Sequence, residues 1–210
     1  MTNNQVDGDN QEMTKQAMDF VAATRCALEH FENFGSIPSI IAAANSLSTC
    51  SGKVITSGMG KNGHIAAKSA STLSSLGISS CYLHPAEASH GDVGIVQPND
   101  VLLVFSTSGK TREVIETIDL VKKLGISKVV SITSHPNSPV RDLSDLVVDI
   151  GIIKEAGFLS LAPTTSLVIM LVVSDIIATL CAWKRRFKIE EYALRHHSGY
   201  LGRKSRGEEP

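Results

Sequence analysis

The chain has few cysteines and no excess of charge of either sign. Its four cysteines are widely spaced and form no Cys-x-x-Cys pair, so nothing indicates a disulfide framework. The formal net charge of -1 gives no electrostatic reason to expect binding to nucleic acid or to an anionic membrane. No secretory signal opens the sequence, and we therefore expect reduced thiols and a cytoplasmic location.

Long apolar runs are also rare, and only residues 161–183 could suggest a membrane span. Several hydroxyl residues and Asp175 interrupt this run, and a charged side chain in a bilayer centre is costly. We therefore predict a buried core helix and no membrane partner. The sequence has no internal repeat, and its length suits one domain over residues 13–204 between a disordered tail (1–12) and a second tail (205–210).

Short apolar strands alternate with helices from residue 53 onwards. Their hydrophobicity is continuous rather than alternating, which is typical of a parallel sheet covered on both faces. We predict an α/β fold, a three-layer doubly wound five-stranded parallel sheet of flavodoxin-like order 2-1-3-4-5 with N-terminal helices. The predicted strands are 53–56, 79–83, 101–105, 128–133 and 146–150, and the main helices are 13–34, 37–47, 61–76, 113–124, 163–183 and 189–194.

Residues 106–111 (STSGKT) lie between the third strand and a helix. A helix N-terminus presents unpaired N–H groups and positive dipole, so such a loop can cradle an anion. Four hydroxyls and one glycine indicate a phosphate monoester. The loop after strand 1, residues 57–64 (SGMGKNGH), should face the same crevice, because strands 1 and 3 are neighbours in this order.

Two nucleotide-binding interpretations of these loops are disfavoured. Gly58, Gly60 and Gly63 fit G-x-G-x-x-G, but strand 2 does not end in the acidic residue of a dinucleotide site. Residues 109–111 imitate the end of a Walker A loop, but Val104 occupies the position of its first glycine. A tight turn and an ordinary polar helix cap are the simpler structural interpretations.

Further chemistry-bearing residues lie near the predicted crevice. Lys61 follows a glycine at its mouth and could contact a phosphate or a polarised oxygen. Glu113, in the first turn of the next helix, either compensates the helix dipole or acts as a general base. Residues 84–92 (HPAEASHGD) carry His84 and His90 without a specific metal spacing, which suits a substrate pocket better.

Two later segments are harder to interpret from the residues alone. Glu155 follows strand 5 and should lie at the same edge of the sheet as the crevice. His196 and His197 come far later, in a segment that must fold back or reach another subunit. Paired histidines near a terminus are more often surface residues, so their pattern alone assigns them no catalytic role.

Five motifs, in this order, resemble those of the D-arabinose 5-phosphate isomerases of the sugar isomerase (SIS) domain superfamily. The resemblance runs from about residue 52 to residue 204, and the second and last motifs are its most specific ones. The motifs are GMGKNGH, HPAEASHGD, FSTSGKTRE, KEAGFLSLAPTTS and ALRHHSGYLGRK.

The chain departs from that family at three places and lacks its long form's extension. Lys110 stands where the family usually has Glu, residues 157–158 replace a common Cys-Pro, and His197 replaces a usual Pro. The long form continues into two CBS modules after LGRK. The resemblance therefore implies a short, stand-alone form.

The resemblance implies interconversion of D-arabinose 5-phosphate and D-ribulose 5-phosphate, which supplies 3-deoxy-octulosonate for lipopolysaccharide or capsule, without a cofactor. It also implies a homo-oligomer, tetramer or dimer, with no nucleic-acid partner. The family's catalytic positions fall on Lys61, Glu113, Glu155 and His196. Its substrate-binding positions fall on Ser57, His84, His90, Ser106, Thr107, Ser108, Gly109 and Thr111, and His84 is also a candidate ligand of an inhibitory metal.

The implied chemistry proceeds through an enediol(ate) and needs a proton-transfer group and an oxyanion-stabilising cation. We expect one of Glu113 and Glu155 to move the carbon-bound proton, Lys61 to position oxygen or phosphate, and His196, from its own or a neighbouring subunit, to assist ring opening. The alternatives are another SIS isomerase acting on a heptose or hexulose phosphate, a non-catalytic sugar-phosphate-binding module, and a nicotinamide enzyme.

Overall fold

The structure is a computed structural model that describes residues 3–208. Five parallel strands form its centre. The strand order is β2-β1-β3-β4-β5, which confirms the predicted topology. Two strands, β3 and β4, have the predicted bounds. Strands β2 and β5 each differ by one residue at one end, and β1 begins one residue later and ends two residues later than predicted. The strands are β1 Val54–Gly58, β2 Ser80–Leu83, β3 Val101–Phe105, β4 Lys128–Thr133 and β5 Leu146–Asp149.

Helices cover both faces of the sheet, as expected for parallel strands joined by crossovers. A 3₁₀ turn, Asp92–Ile95, follows the short helix of the β2–β3 connection. The α-helices are α1 Asn3–Asn33, α2 Ile37–Ser48, α3 Lys61–Ser75, α4 Pro85–Ala88, α5 Arg112–Lys123, α6 Pro139–Asp142, α7 Thr165–Lys184, α8 Ile189–Arg195 and α9 Gly199–Ser205.

The apolar core is divided in two by the sheet. Alternate residues of β3 point to opposite faces: Val101, Leu103 and Phe105 pack in one cluster, and Leu102 and Val104 in the other. The first cluster includes residues of α2, α3 and α7, and the second includes residues of α5 and α6. Because both faces are buried, these strands read as continuous apolar runs in the sequence.

Helix α7 is the apolar segment that the sequence analysis assigned to the core. By length and composition alone it is the one helix within residues 3–208 that could cross a membrane, and half of its most apolar stretch is buried inside the structure. It contacts α1, α2 and α3, and Ile169, Val173 and Ile177 lie in the first core cluster. Burial against three helices accounts for its composition.

The ends of the domain differ from the sequence expectation. Helix α1 already begins at Asn3, so residues 3–12 extend the helix instead of forming a disordered tail. Propagating an existing helix adds a backbone bond for each residue, and Gln16 Nε2 also donates to Glu12 Oε1 at 2.8 Å. At the other end α9 covers residues 199–205. Residues 1–2 and 209–210, the remainder of the predicted tails, lie outside the described residues.

A buried ion pair holds the amino ends of β1 and β3 together. Asp100 is only 1% exposed, and its carboxylate accepts bonds from Lys53 Nζ at 2.6 Å and from the N–H groups of Lys53 and Gln97, both at 2.8 Å. Burial alone would raise the pKa of Asp100, but the Lys53 ammonium and these N–H donors outweigh it and hold the pKa below its usual range.

Replacing Asp100 by Asn should lower the free energy of unfolding at pH 7 by about 2–4 kcal/mol, because Lys53 loses its counter-charge. The contribution of the carboxylate is present above pH ~4, near the pKa of an unfolded aspartate, and is lost as pH falls through the lower folded pKa. Urea unfolding at a series of pH values measures this, with the exposed Asp119→Asn as control. Parallel stability curves for wild type and Asp100→Asn down to pH ~3 would contradict the assignment.

Candidate active site

The carboxyl ends of β1 and β3 lie side by side, and the loops that follow them form one crevice. Gly58 pairs with Phe105 at the last position of the parallel register. Beyond that point Thr107 Oγ1 donates to Asn62 Oδ1 at 3.2 Å and joins the two loops directly. The crevice therefore lies where the strand order predicts a ligand.

The loop at 106–111, here called the hydroxyl loop, turns two of its carbonyl oxygens toward the β4–α6 connection and the start of α6. Ser134 and His135 donate their N–H groups to Thr107 O at 3.1 and 3.3 Å, and Val140 N–H donates to Gly109 O at 3.2 Å. The C=O and the following N–H of one peptide plane point in opposite directions. The N–H of Ser108 consequently points away from that segment.

Two serine hydroxyls of the hydroxyl loop accept hydrogen bonds from its own backbone. Ser106 Oγ accepts from Gly109 N–H and Ser108 Oγ from Lys110 N–H, each at 3.2 Å. A hydroxyl that accepts one bond still has its proton to donate. Thr111, the N-cap of α5, makes no side-chain cap bond, so the first N–H groups of α5 have no side-chain partner within the described chain. Hydroxyl and N–H donors together can bind an anion here.

Gly109 cannot be replaced without disturbing this turn. Its φ of +64° lies in the left-handed region, and an added Cβ would overlap the hydroxyl of Ser138. Ser138 Oγ is itself buried and has no hydrogen-bond partner in the described residues. The tight contact fixes the hydroxyl loop against the segment before α6.

Close backbone contacts explain the glycines after β1 without a bound dinucleotide. A Cβ on Gly63 would lie 2.6 Å from Gly58 O and 2.7 Å from the hydroxyl of Tyr82. That hydroxyl donates to Gly58 O at 2.9 Å. Burial raises the pKa of Tyr82, which keeps the phenol a neutral donor. The tight-turn interpretation of this motif therefore fits the structure, since α3 begins directly at Lys61.

Ser57 in β1 and the predicted residues after β2 lie at the border of the crevice. Ser57 is buried and donates to Leu83 O at 2.8 Å, so its hydroxyl is committed to the edge of the sheet. His84 is half-buried, its ring meets Tyr82 edge to face, and its Nδ1 has no partner among the described residues. His90 is exposed beyond α4. In the described part of the chain no group of three or more His, Cys, Asp or Glu is arranged to hold a metal, so the metal role of His84 stays a prediction.

Lys61 and Glu113 occupy the starts of the two helices that point into the crevice. Lys61 is the exposed first residue of α3. Glu113 is half-buried in the first turn of α5, and no hydrogen bond or ion pair holds its carboxylate within residues 3–208. Thr117 connects this helix to the His84 segment by donating to Pro85 O at 3.4 Å. Glu113 is therefore a free carboxylate close to the hydroxyl loop in the chain.

Glu155 caps the N-terminus of α7. Its Oε2 accepts the N–H groups of Thr164 at 2.7 Å and Ser166 at 3.2 Å, and its Oε1 accepts the hydroxyl of Ser166. Thr164 Oγ1 adds a further bond at 3.2 Å. A carboxylate at this position also compensates the helix dipole. The arrangement gives Glu155 a definite structural function that its sequence position did not reveal.

His196 does not lie at the crevice of its own subunit. It follows α8, where the Arg195 guanidinium stacks on Phe187, 5.3 Å from the ring centroid, and Phe187 packs against Gly77. Gly77 follows the 15 residues of α3, about 22 Å from the crevice end of that helix. The imidazole instead stacks on Tyr192, with ring centroids 3.8 Å apart.

A groove of about 490 Å³ runs between α1 and the segment after β5. Phe20, Cys26 and His30 line one side, and Lys154 and Glu155 the other. Phe158, which lines the groove, is 84% exposed, and Leu161, three residues later in the chain, is 77% exposed. Such a patch is typical of a protein interaction surface.

The chain is similar to known proteins over nearly all of this architecture. The SIS domain model matches residues 47–180. The chain is 42% identical to the arabinose 5-phosphate isomerase KdsD of Pseudomonas aeruginosa over 153 residues, 73% of this chain and 47% of that protein. It thus spans about half the length of the curated relatives it matches.

Two solved structures resemble the whole fold. One is a candidate phosphosugar isomerase of Bacteroides fragilis NCTC 9343 involved in capsule formation, with 39% identity, a TM-score of 0.78, and 90% of this chain and 99% of that chain covered. The other is an Escherichia coli CFT073 protein in complex with arabinose 5-phosphate, with 32% identity, a TM-score of 0.75, and 93% and 100% covered. With more than half of its residues matched by one family model, the chain belongs to the SIS domain family.

Proposed function

We propose that the chain is an isomerase that interconverts D-arabinose 5-phosphate and D-ribulose 5-phosphate. The main support is the crevice between two loops. One side is formed by the hydroxyl loop and the uncapped start of α5, the other by the loop that contains Lys61, and the Thr107–Asn62 hydrogen bond joins them. The similar proteins, KdsD and the protein complexed with arabinose 5-phosphate, support this substrate. The product arabinose 5-phosphate would supply 3-deoxy-octulosonate for lipopolysaccharide or capsule.

The phosphate of the substrate binds at the hydroxyl loop in this proposal. The N–H of Ser108, the first N–H groups of α5 and the hydroxyls of Ser106, Ser108 and Thr111 are its donors. Binding there gives an acceptor to donor protons that have none in the described chain, and it places negative charge at the positive end of a helix. The sugar then extends toward Lys61 and His84.

Glu113 is the base that moves the carbon-bound proton. Removal of the proton at carbon 2 of the open-chain aldose leaves an enediolate. Delivery of a proton to carbon 1, with transfer of the carbon-2 hydroxyl proton to the oxygen on carbon 1, gives the ketose. Glu113 has a carboxylate free to accept that proton, whereas the oxygens of Glu155 are occupied by the start of α7. Glu155 acts by fixing α7 and the wall of the crevice. Electrons stay within the sugar, and the reaction requires no cofactor.

Lys61 stabilises the oxyanion of the enediolate. An ammonium group at the start of α3 adds to the positive end of the helix, and the two fields act on the same developing charge. His84 borders the same crevice with an Nδ1 that has no partner in the described chain and can hydrogen-bond to a sugar hydroxyl.

His196 completes the crevice of a neighbouring subunit. Its own crevice lies at the other end of α3, so only a partner's crevice is available to it. The exposed apolar residues of α1 and of residues 158–161 give a surface for such an oligomer. The described cysteines are all unpaired thiols, which supports a reducing, cytoplasmic location.

A panel of sugar phosphates tests the substrate. We expect arabinose 5-phosphate to give ribulose 5-phosphate with kcat/KM about 10²-fold or more above that for sedoheptulose 7-phosphate or a hexulose 6-phosphate. A reversed preference would replace the proposal by another SIS isomerase. Tight binding of arabinose 5-phosphate without any turnover would replace it by a non-catalytic sugar-phosphate-binding module.

A further inference from the structure

Helices α3 and α5, whose N-termini face the crevice, each have a lysine at that N-terminal end. Lys61 is the first residue of α3, and Lys110 immediately precedes Thr111, the N-cap of α5. A cation near a helix N-terminus is opposed by the helix dipole. Lys122 and Lys123, by contrast, lie in the last turn of α5, where the dipole favours them. At the N-terminal end of α5 the acidic Glu113 follows the electrostatic rule, whereas Lys110 opposes it.

No ion pair in the described chain neutralises Lys110, and Glu113, the acidic residue in the first turn of α5, makes no hydrogen bond or ion pair with it. Within residues 3–208 its ammonium makes no hydrogen bond or ion pair, and its side chain is exposed. The neighbouring Arg112 differs, since its Nε lies 3.5 Å from Glu116 Oε1. A local rule that is broken without compensation inside the protein is expected where a ligand supplies the missing interaction.

The backbone fixes Lys110 beside the hydroxyl loop. Its N–H donates to Ser108 Oγ at 3.2 Å, and the carbonyl of Gly109 before it accepts from Val140 N–H at 3.2 Å. Both ends of that peptide are thus held while the four-carbon side chain remains free. The ammonium can therefore approach an anion bound at the start of α5 from the solvent side.

We propose that Lys110 is a second cation of the phosphate subsite and selects a doubly charged phosphate monoester. The inference rests on the proposed function, because the phosphate is that of the substrate. The hydroxyls and N–H groups bind oxygen atoms of any tetrahedral anion, whereas Lys110 adds an attraction that grows with the anion's charge. It acts on binding and not on proton transfer, so it sets KM and leaves kcat unchanged.

The variant Lys110→Gln tests this against Lys123→Gln on the same helix. At low ionic strength, Lys110→Gln should raise the KM for arabinose 5-phosphate and the Kd for inorganic phosphate about 3- to 10-fold, with kcat within about 2-fold. The difference should shrink in about 0.5 M salt, because the charge is screened. Without phosphate, Lys110→Gln should have a slightly higher Tm than wild type, since it removes an unfavourable charge. Lys123→Gln should raise neither constant.

Equal KM and Kd values for Lys110→Gln and wild type at low salt would overturn the role of Lys110. The role would also be overturned if Lys110→Gln raised the Kd for phosphate by the same factor at a pH where phosphate is the dianion and at a pH where it is the monoanion. Calorimetric titration with inorganic phosphate needs no turnover. If the wild-type protein binds phosphate but does not convert arabinose 5-phosphate, the proposed function is wrong. The comparison of phosphate Kd values still tests the role of Lys110 in that case.

Discussion

Replacing Glu113 by Gln should lower kcat for arabinose 5-phosphate about 10²- to 10⁴-fold, because an amide cannot accept the carbon-bound proton. The Tm should stay within about 2 °C of wild type, since no described residue bonds to the Glu113 carboxylate. Initial-rate kinetics and a thermal melt on the same sample measure both quantities. Glu116→Gln, on the same helix and exposed, is the matched control and should keep its activity.

The same experiment separates Glu113 from Glu155. Glu155→Gln should lower the free energy of unfolding by about 1–3 kcal/mol, because the amide cannot accept every bond from the start of α7. Its kcat should fall less than that of Glu113→Gln. If Glu113→Gln kept full turnover and Glu155→Gln were stable but inactive, Glu155 and not Glu113 would be the base.

Replacing His196 by Ala should also abolish most of the activity, and activity should return when the variant is mixed with Glu113→Gln. If His196 acts in the neighbouring subunit, each mixed pair contains one crevice with both defects and one with none. In the isolated mixed pairs about one half of the wild-type sites are then restored. Co-expression of two differently tagged variants, followed by tandem purification and an activity assay, measures the restored fraction.

A mixture of Lys61→Met and Glu113→Gln is the matched control for this complementation. Both residues belong to the crevice of one subunit, so every mixed site keeps one defect and the mixture should stay inactive. A His196→Ala mixture that never exceeds the summed activities of its two components would contradict the shared site.

The strands and the crevice could be predicted from sequence for simple physical reasons. Strands buried on both faces are continuous apolar runs, and 101–105 and 128–133 were found with their bounds. Once the order 2-1-3-4-5 is assumed, the loops after β1 and β3 must meet. The Thr107–Asn62 hydrogen bond is a contact of this kind, although the strand order alone does not predict which residues make it.

Other features depend on contacts between residues far apart in the chain. The cap that Glu155 gives to α7 joins residues nine and eleven positions apart across an irregular loop, and no local pattern announces it. The run of hydroxyls at 164–166 before an apolar helix does signal a helix start, but not its partner. Whether His196 folds back depends on how Phe187 packs on Gly77, a tertiary contact with no periodic signature.

The most direct measurement follows arabinose 5-phosphate by NMR in deuterium oxide with the purified chain. Proton transfer through an enediolate predicts ribulose 5-phosphate as product, with deuterium at carbon 1, and recovered arabinose 5-phosphate with deuterium at carbon 2. Glu113→Gln should show neither change. No ribulose 5-phosphate from the wild-type protein would contradict the proposed activity, and conversion by Glu113→Gln at the wild-type rate would contradict Glu113 as the base.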